Sequence, residues 1–243
     1  MKRSSRAIAV AVLLSLIATS AFPAIAAPSF DCKAAKEEVE KIDCRSEKLS
    51  ALDRQIADAY KAALGRLASD PTAVAALRDG QRAFVALRDK GLNTNPNDVA
   101  EFMETHRNFL RSITPRARDG FLGVWETVGG VVIVRRGKRG KFDVNAETFG
   151  DPLWGTRYCR GGGDNFIMNG PTLASSNGPG DWNQKLSRNG HLLVLQEIAP
   201  KARKVDKEMR EPDYCGANGS LAGTSFPVRG PKPSYGDSIL ADP

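Results

Sequence analysis

Apolar positions recur at intervals of three and four through the first half of the chain, and alternate in short runs through the second. Leu49, Leu52, Ile56, Tyr60, Ala63 and Leu67 form one stripe, as in a helix with one buried face. Asp70-Pro71 reads as a stop and a start, with Asp as N-cap and Pro at the first helical position. Val74, Leu77, Phe84 and Val85 carry the next helix, which ends near Gly91. After the loop Asn93-Thr94-Asn95-Pro96-Asn97, a further helix holds Val99, Phe102, Met103, Phe109, Leu110 and Ile113, and Thr114-Pro115 closes it. Short connections between such stripes predict a small helical bundle over 28–115.

From Phe121 the pattern changes to glycine, turns and β-branched residues. Val131–Arg136 and Lys141–Ala146 flank Gly137-Lys138-Arg139-Gly140 and predict a hairpin. Arg157–Arg160 and Asn165–Met168, around Gly161-Gly162-Gly163, predict a second. Trp182–Ser187 and His191–Ile198, around Arg188-Asn189-Gly190, predict a third. Short strands at this spacing predict an antiparallel β-barrel or sandwich over 119–226. Gly123-Val124-Trp125 resembles the G-x-W opening of lipocalin-like barrels. From Pro227 to Pro243, Pro, Gly and Ser predict a loosely held tail. The fold class is therefore α+β in two domains, a helical bundle followed by a β domain.

Polar residues interrupt the helical stripes. Asp53 lies on the Leu49–Ile56 face, and Gln81 and Arg88 share the face of Val74, Leu77 and Phe84. If the two helices fold back at Asp70, Asp53 stands seventeen residues before the turn and Arg88 eighteen after it, which puts them level. Tyr60 is level with Gln81 by the same count. Two internal polar pairs, Asp53 with Arg88 and Tyr60 with Gln81, would fix how the helices register. The alternative places these side chains at the bundle's edge, in water.

The leader alters the charge. Lys2, Arg3 and Arg6 precede an apolar stretch from Ala7 to Ile17, and Ala24-Ile25-Ala26 is a small-x-small cleavage site. Residues 1–26 thus read as a secretory signal peptide, which places the mature protein in the periplasm or outside the cell. No later stretch is long enough to span a bilayer, and the context of Cys32 is not that of a lipid anchor. Loss of three leader cations lowers the net charge from +7 to +4. That charge is shared evenly between the halves, which argues against nucleic acid as a partner.

Four cysteines in an oxidising compartment allow three pairings. The compositional halves favour Cys32–Cys44 and Cys159–Cys215. Twelve residues of uninterrupted helix rise about 18 Å, whereas bridged Cα atoms sit roughly 4.4–6.8 Å apart. A Cys32–Cys44 bond therefore needs the chain to double back, pinning a short helix near Ala34–Val39 against its successor. A site of four metal-binding thiolates is opposed by the lack of any C-x-x-C pair.

No catalytic constellation appears. The two histidines, His106 and His191, lie outside any H-E-x-x-H and read as surface or boundary residues. No G-x-S-x-G elbow is present, and Gly161-Gly162-Gly163 is followed by Asp-Asn rather than by a phosphate-loop lysine. The chain reads as a non-enzyme, with no metal and no cofactor expected. Two charge clusters are candidates for binding a partner. Glu37, Glu38 and Glu40 crowd the stapled helix, an acidic patch suited to a basic protein, although Lys33, Lys36 and Lys41 interleave with it. Arg135, Arg136, Lys138, Arg139 and Lys141 surround one hairpin tip, where they could grip an anionic glycan or small ligand. The plainer readings are an exposed helix face and a tip whose charge discourages edge pairing.

Asp31-Cys32, the approach from Glu40 to Cys44, Leu49, Leu52-Asp53, Tyr60, Gln81-Arg82 and Arg88-Asp89 together resemble the N-terminal domain of the LprI family. These are small secreted or envelope-attached bacterial helical domains named for a lysozyme inhibitor. The resemblance covers about residues 30–112. It implies a helical fold and non-covalent inhibition of lysozyme-type muramidases, with lysozyme or another cell-wall-associated protein as partner. Phe84 stands where the family pattern has Trp, and Lys90-Gly91 where it has a further cysteine. Cys32–Cys44 is then the one cross-link expected in the helical part. The alternative function gives the work to the β domain, as a lipocalin-like holder of a small envelope ligand.

Overall fold

The computed structural model describes residues 27–91, 95–115, 119–149, 158–175, 181–200, 212, 214–216 and 219–230. The leader lies outside the described residues, as do Trp154 and the stretch 231–243 of the expected tail.

Among the described residues, four α-helices precede eight strands. A short 3-10 turn, Cys32–Ala34, leads to α1, Glu38–Arg45, and α2, Glu47–Arg66, begins after only Ser46. Ser46 caps α2 by accepting from the Leu49 N–H at 3.3 Å. The third helix, α3, spans Pro71–Gly91, and Asp70 caps it by accepting from the Ala73 N–H at 3.0 Å. The fourth, α4, is Pro96–Ser112 with Asn95 as its cap. It lies closest along α2, where the buried side chains include the small Ala59, Ala63 and Ala100. Arg66 at the end of α2 donates to the carbonyls of Leu110 and Ile113, at 2.6 and 3.2 Å, and so satisfies the open end of α4.

The strands β1 Gly123–Thr127, β2 Gly130–Arg136, β3 Phe142–Phe149, β4 Tyr158–Asn169, β5 Thr172–Ala174, β6 Asn183–Asn189, β7 Leu192–Ile198 and β8 Gly223–Pro227 close into one barrel in sequence order. All neighbours are antiparallel, and β8 pairs back onto β1. The β domain is therefore a barrel, and closure removes the free edges an open sheet would present. Period-two alternation divides β1, β2 and β7 between two cores. Trp125, Val132, Val134, Val144, Phe166, Leu186, Leu193 and Leu195 pack together inside the barrel. Val124, Val131, Ile133, Leu192 and Phe226 point outward and join the core of the helices. Helices and barrel thus share one apolar seam, with the Phe109 ring edge-on to Phe226 at 6.1 Å.

Three details differ from the sequence reading. The glycine triplet does not turn the chain, because β4 runs straight through it for twelve residues. A Cβ on Gly162, at φ +121°, would lie 1.9 Å from the Val144 carbonyl oxygen, so glycine serves close approach to β3 here. The reversal comes later, after Asn169. The expected tail also begins too early. Pro227 belongs to β8, and Val228 is fully buried and bridged to Ile113. Pro227 needs no N–H at that position, since it serves by its carbonyl, which accepts from the Thr114 N–H at 2.9 Å. Finally, the barrel axis is occupied. Trp125 is fully buried, its indole N–H donates to the Phe121 carbonyl at 2.7 Å, and the Arg188 guanidinium covers its ring at 4.5 Å. Trp182 is only half-buried.

Candidate functional site

Five of the residues that carry the family resemblance, Asp53, Gln81, Arg82, Arg88 and Asp89, gather on one face of the helical part. At its base is Arg88, 5% exposed, on the inner stripe of α3. Its guanidinium lies 3.4 Å from Asp43 Oδ2, 3.7 Å from Asp53 Oδ1 and 3.0 Å from Asp89 Oδ1. Asp53 also accepts from the Ser29 N–H at 2.6 Å, which fastens the first described residues to α2. The levelling of Asp53 with Arg88 across the fold-back at Asp70 puts opposite charges together out of water, where each needs the other.

Asp43 is the member that the sequence reading did not pair. It stands on the buried stripe of α1 with Val39 and Ile42, so the three-and-four spacing could have placed it inward. Burial raises its carboxyl to about 6, against the pull of Arg88. Its Oδ1 has no hydrogen-bond partner. The cluster therefore contains one cation and three carboxyl groups.

Gln81 does not meet Tyr60. Its Oε1 lies 3.0 Å from His106 Nε2 on α4, and Tyr60 packs partly buried against the apolar core. With α4 lying along α2, the ring that faces Gln81 comes from α4 rather than from α2. His106 is not a boundary residue: it is fully buried and stacked on Phe84 at 3.7 Å. Its place on the stripe of Phe102, Met103, Phe109 and Leu110 explains this, and burial holds its imidazole neutral by lowering its pKa to about 3. The Nε2–H tautomer then donates to Gln81. His191 does lie at a boundary, in the turn between β6 and β7, and meets Asp70.

Above this base lies an open groove of about 460 Å³. Gln81, Arg82, Val85, Ala86 and Asp89 form one stripe of α3 along it, and Glu37 at the start of α1 forms the opposite bank. Val85, 37% exposed, supplies an apolar contact at its centre. The Cys32–Cys44 disulfide, with Cα atoms 5.9 Å apart, ties the 3-10 turn to α1 and so sets that bank.

The expected acidic patch is divided among several tasks. Glu37 lines the groove. Glu38 pairs with Arg45 at 3.0 Å and Lys41 at 3.5 Å, and the Arg45 hydrogen bond lowers its pKa. Glu40 turns back to accept the N–H groups of Lys36 and Glu37, at 2.8 and 3.2 Å, which caps α1. Arg135, Arg136, Lys138 and Arg139 are elsewhere, at the β2–β3 tip, where Arg135, Arg136 and Lys138–Gly140 include no buried residue. Cys159–Cys215 bonds β4 to the segment before β8.

Polar Gln81, Arg82, Asp89 and Glu37 thus surround the exposed Val85 in this groove. Among the described residues, no group of His, Cys, Asp and Glu has the arrangement to hold a metal, and no helix is long and apolar enough to cross a membrane. Residues 32–120 match the family model described as Lysozyme inhibitor LprI. The match covers the four helices and stops just short of β1. No curated protein and no solved structure matches the chain.

Proposed function

We propose that the chain is a secreted or periplasmic inhibitor of lysozyme-type muramidases, acting by non-covalent contact through the α1–α3 groove. The observation that carries this reading is the convergence of family residues on one place. Gln81, Arg82 and Asp89 line the groove, while Asp53 and Arg88 fix its base. Inhibition of this kind is steric: the inhibitor occupies or shields a cleft, and no bond is made or broken. The leader supplies the export that such a role requires.

Net charge does not drive the encounter, since the mature chain retains +4 once three leader cations are removed from +7. Recognition instead rests on the local pair Glu37 and Asp89 beside exposed Val85. The test is a turbidity assay of muramidase lysis with purified mature protein. Lysis slowed in proportion to added protein is expected, and lysis unchanged at large molar excess overturns the reading.

A further inference from the structure

Among the described residues, the β4–β5–β6 side of the closed barrel is held by short pairings. β5 is three residues long and pairs with β4 only at Ile167–Asn169, although β4 extends back to Tyr158. The segment Tyr214–Gly216 takes up the far end of that edge. There the Arg160 N–H donates to Tyr214 at 3.0 Å and the Gly216 N–H to Tyr158 at 2.8 Å. Between them, Gly161–Gly163 face the start of β6 across a cleft of about 450 Å³.

Its floor is bare backbone for a physical reason. A Cβ on Gly161 would lie 2.6 Å from both Gln184 Nε2 and Leu221 Cδ1, so any side chain there would displace the cleft's own wall. Gln184 lines the cleft while only 3% exposed, its Nε2 lying beside Gly161.

The remaining lining defines the ligand. Trp182 and Tyr214 supply aromatic surface. The Tyr214 hydroxyl donates to Glu197 at 2.9 Å, so its ring is held in place before anything binds. Asn145 adds a second carboxamide and Asp181 a carboxylate. Arg160, the one cation among the described lining residues, is already matched by Glu147 at 2.7 Å. The cleft's few apolar surfaces are aromatic, which does not suit an acyl chain.

We propose that this lateral cleft binds a neutral saccharide. The aromatic rings meet the C–H faces of a sugar, and the amides and Asp181 meet its hydroxyls. The site is distinct from the α1–α3 groove and does not rest on the muramidase reading.

Saturation-transfer NMR on the full mature chain tests the proposal, with chitotriose, cellotriose and maltotriose as probes and inorganic phosphate and laurate as controls. At least one trisaccharide is expected to bind, about tenfold more weakly to Trp182→Ala and Gln184→Leu. Asn145→Ala, a change at a half-exposed position, decides the matter if either variant fails to fold, and thermal midpoints identify such a failure. Absence of binding by all three sugars, affinity unchanged in the folded variants, or binding confined to phosphate or laurate would each overturn it.

Discussion

His191 Nδ1 lies 2.6 Å from Asp70 Oδ2, joining a barrel turn to the cap of a helix. The His191 backbone N–H reaches the same oxygen at 3.2 Å, while the other carboxylate oxygen accepts from Ala73. One side chain therefore starts α3 and moors the barrel to it.

The Ala73 hydrogen bond, followed by that from His191, lowers the Asp70 pKa to about 2. A carboxyl depressed below its unfolded value stabilises the fold above pH 4 or so, and that contribution is lost as pH falls toward 2. Asp70→Ala is expected to cost about 1–2 kcal/mol at neutral pH. It should also flatten the acid limb of a plot of stability against pH. Chemical denaturation at pH 2 to 7 measures both.

Asp43 has the opposite sign. Its folded pKa of about 6 exceeds the unfolded value, so the native state binds the extra proton and stability falls as pH rises from about 4 to about 6. Asp43→Asn is expected to remove that slope and to be neutral or stabilising at pH 7. Arg88→Ala leaves buried carboxylates unpaired and is expected to cost about 3–5 kcal/mol. Equal losses in the two variants, measured by urea titration at pH 7, would refute this account of the cluster.

Surface changes in the groove should separate binding from folding. Val85→Asp and Glu37→Lys alter an exposed apolar contact and the opposite bank. Each is expected to shift stability by no more than about 0.5 kcal/mol. Muramidase inhibition should weaken about tenfold in the turbidity assay, or roughly 1.4 kcal/mol of binding free energy.

Cys32–Cys44 closes a short loop, and its removal as the double serine variant is expected to cost about 3 kcal/mol. Since the bond fixes the bank that carries Glu37, inhibition should fall even at temperatures where the variant remains folded. Circular dichroism alongside the turbidity assay separates the two effects.

The helical part was largely legible in the sequence, because a 3.6-residue period and the Asp70-Pro71 boundary are local signals. The levelling of Asp53 with Arg88 could be counted because a fold-back has a definite midpoint. The third carboxyl, Asp43, is marked only by its spacing from Val39 and Ile42, a local signal that names no partner. The contact between His106 and Gln81 depends on which helix lies against which, and no single stripe encodes that. In the barrel, Gly161–Gly163 resembled a turn because glycine permits either a reversal or a close approach. Only the position of the Val144 carbonyl decides between them. The wall cleft follows from the shortness of β5, a tertiary fact with no sequence signature.

The bridge between Ile113 and Val228 has a consequence for order in time. The helices leave the ribosome well before the strand that covers their flank. Until Phe226 and Val228 arrive, Phe109 and Ile113 have no lid on that side. Final closure of the molecule therefore waits for nearly the whole polypeptide, and a chain cut short before β8 would present an open barrel and a sticky helical flank to the quality-control proteases of its compartment.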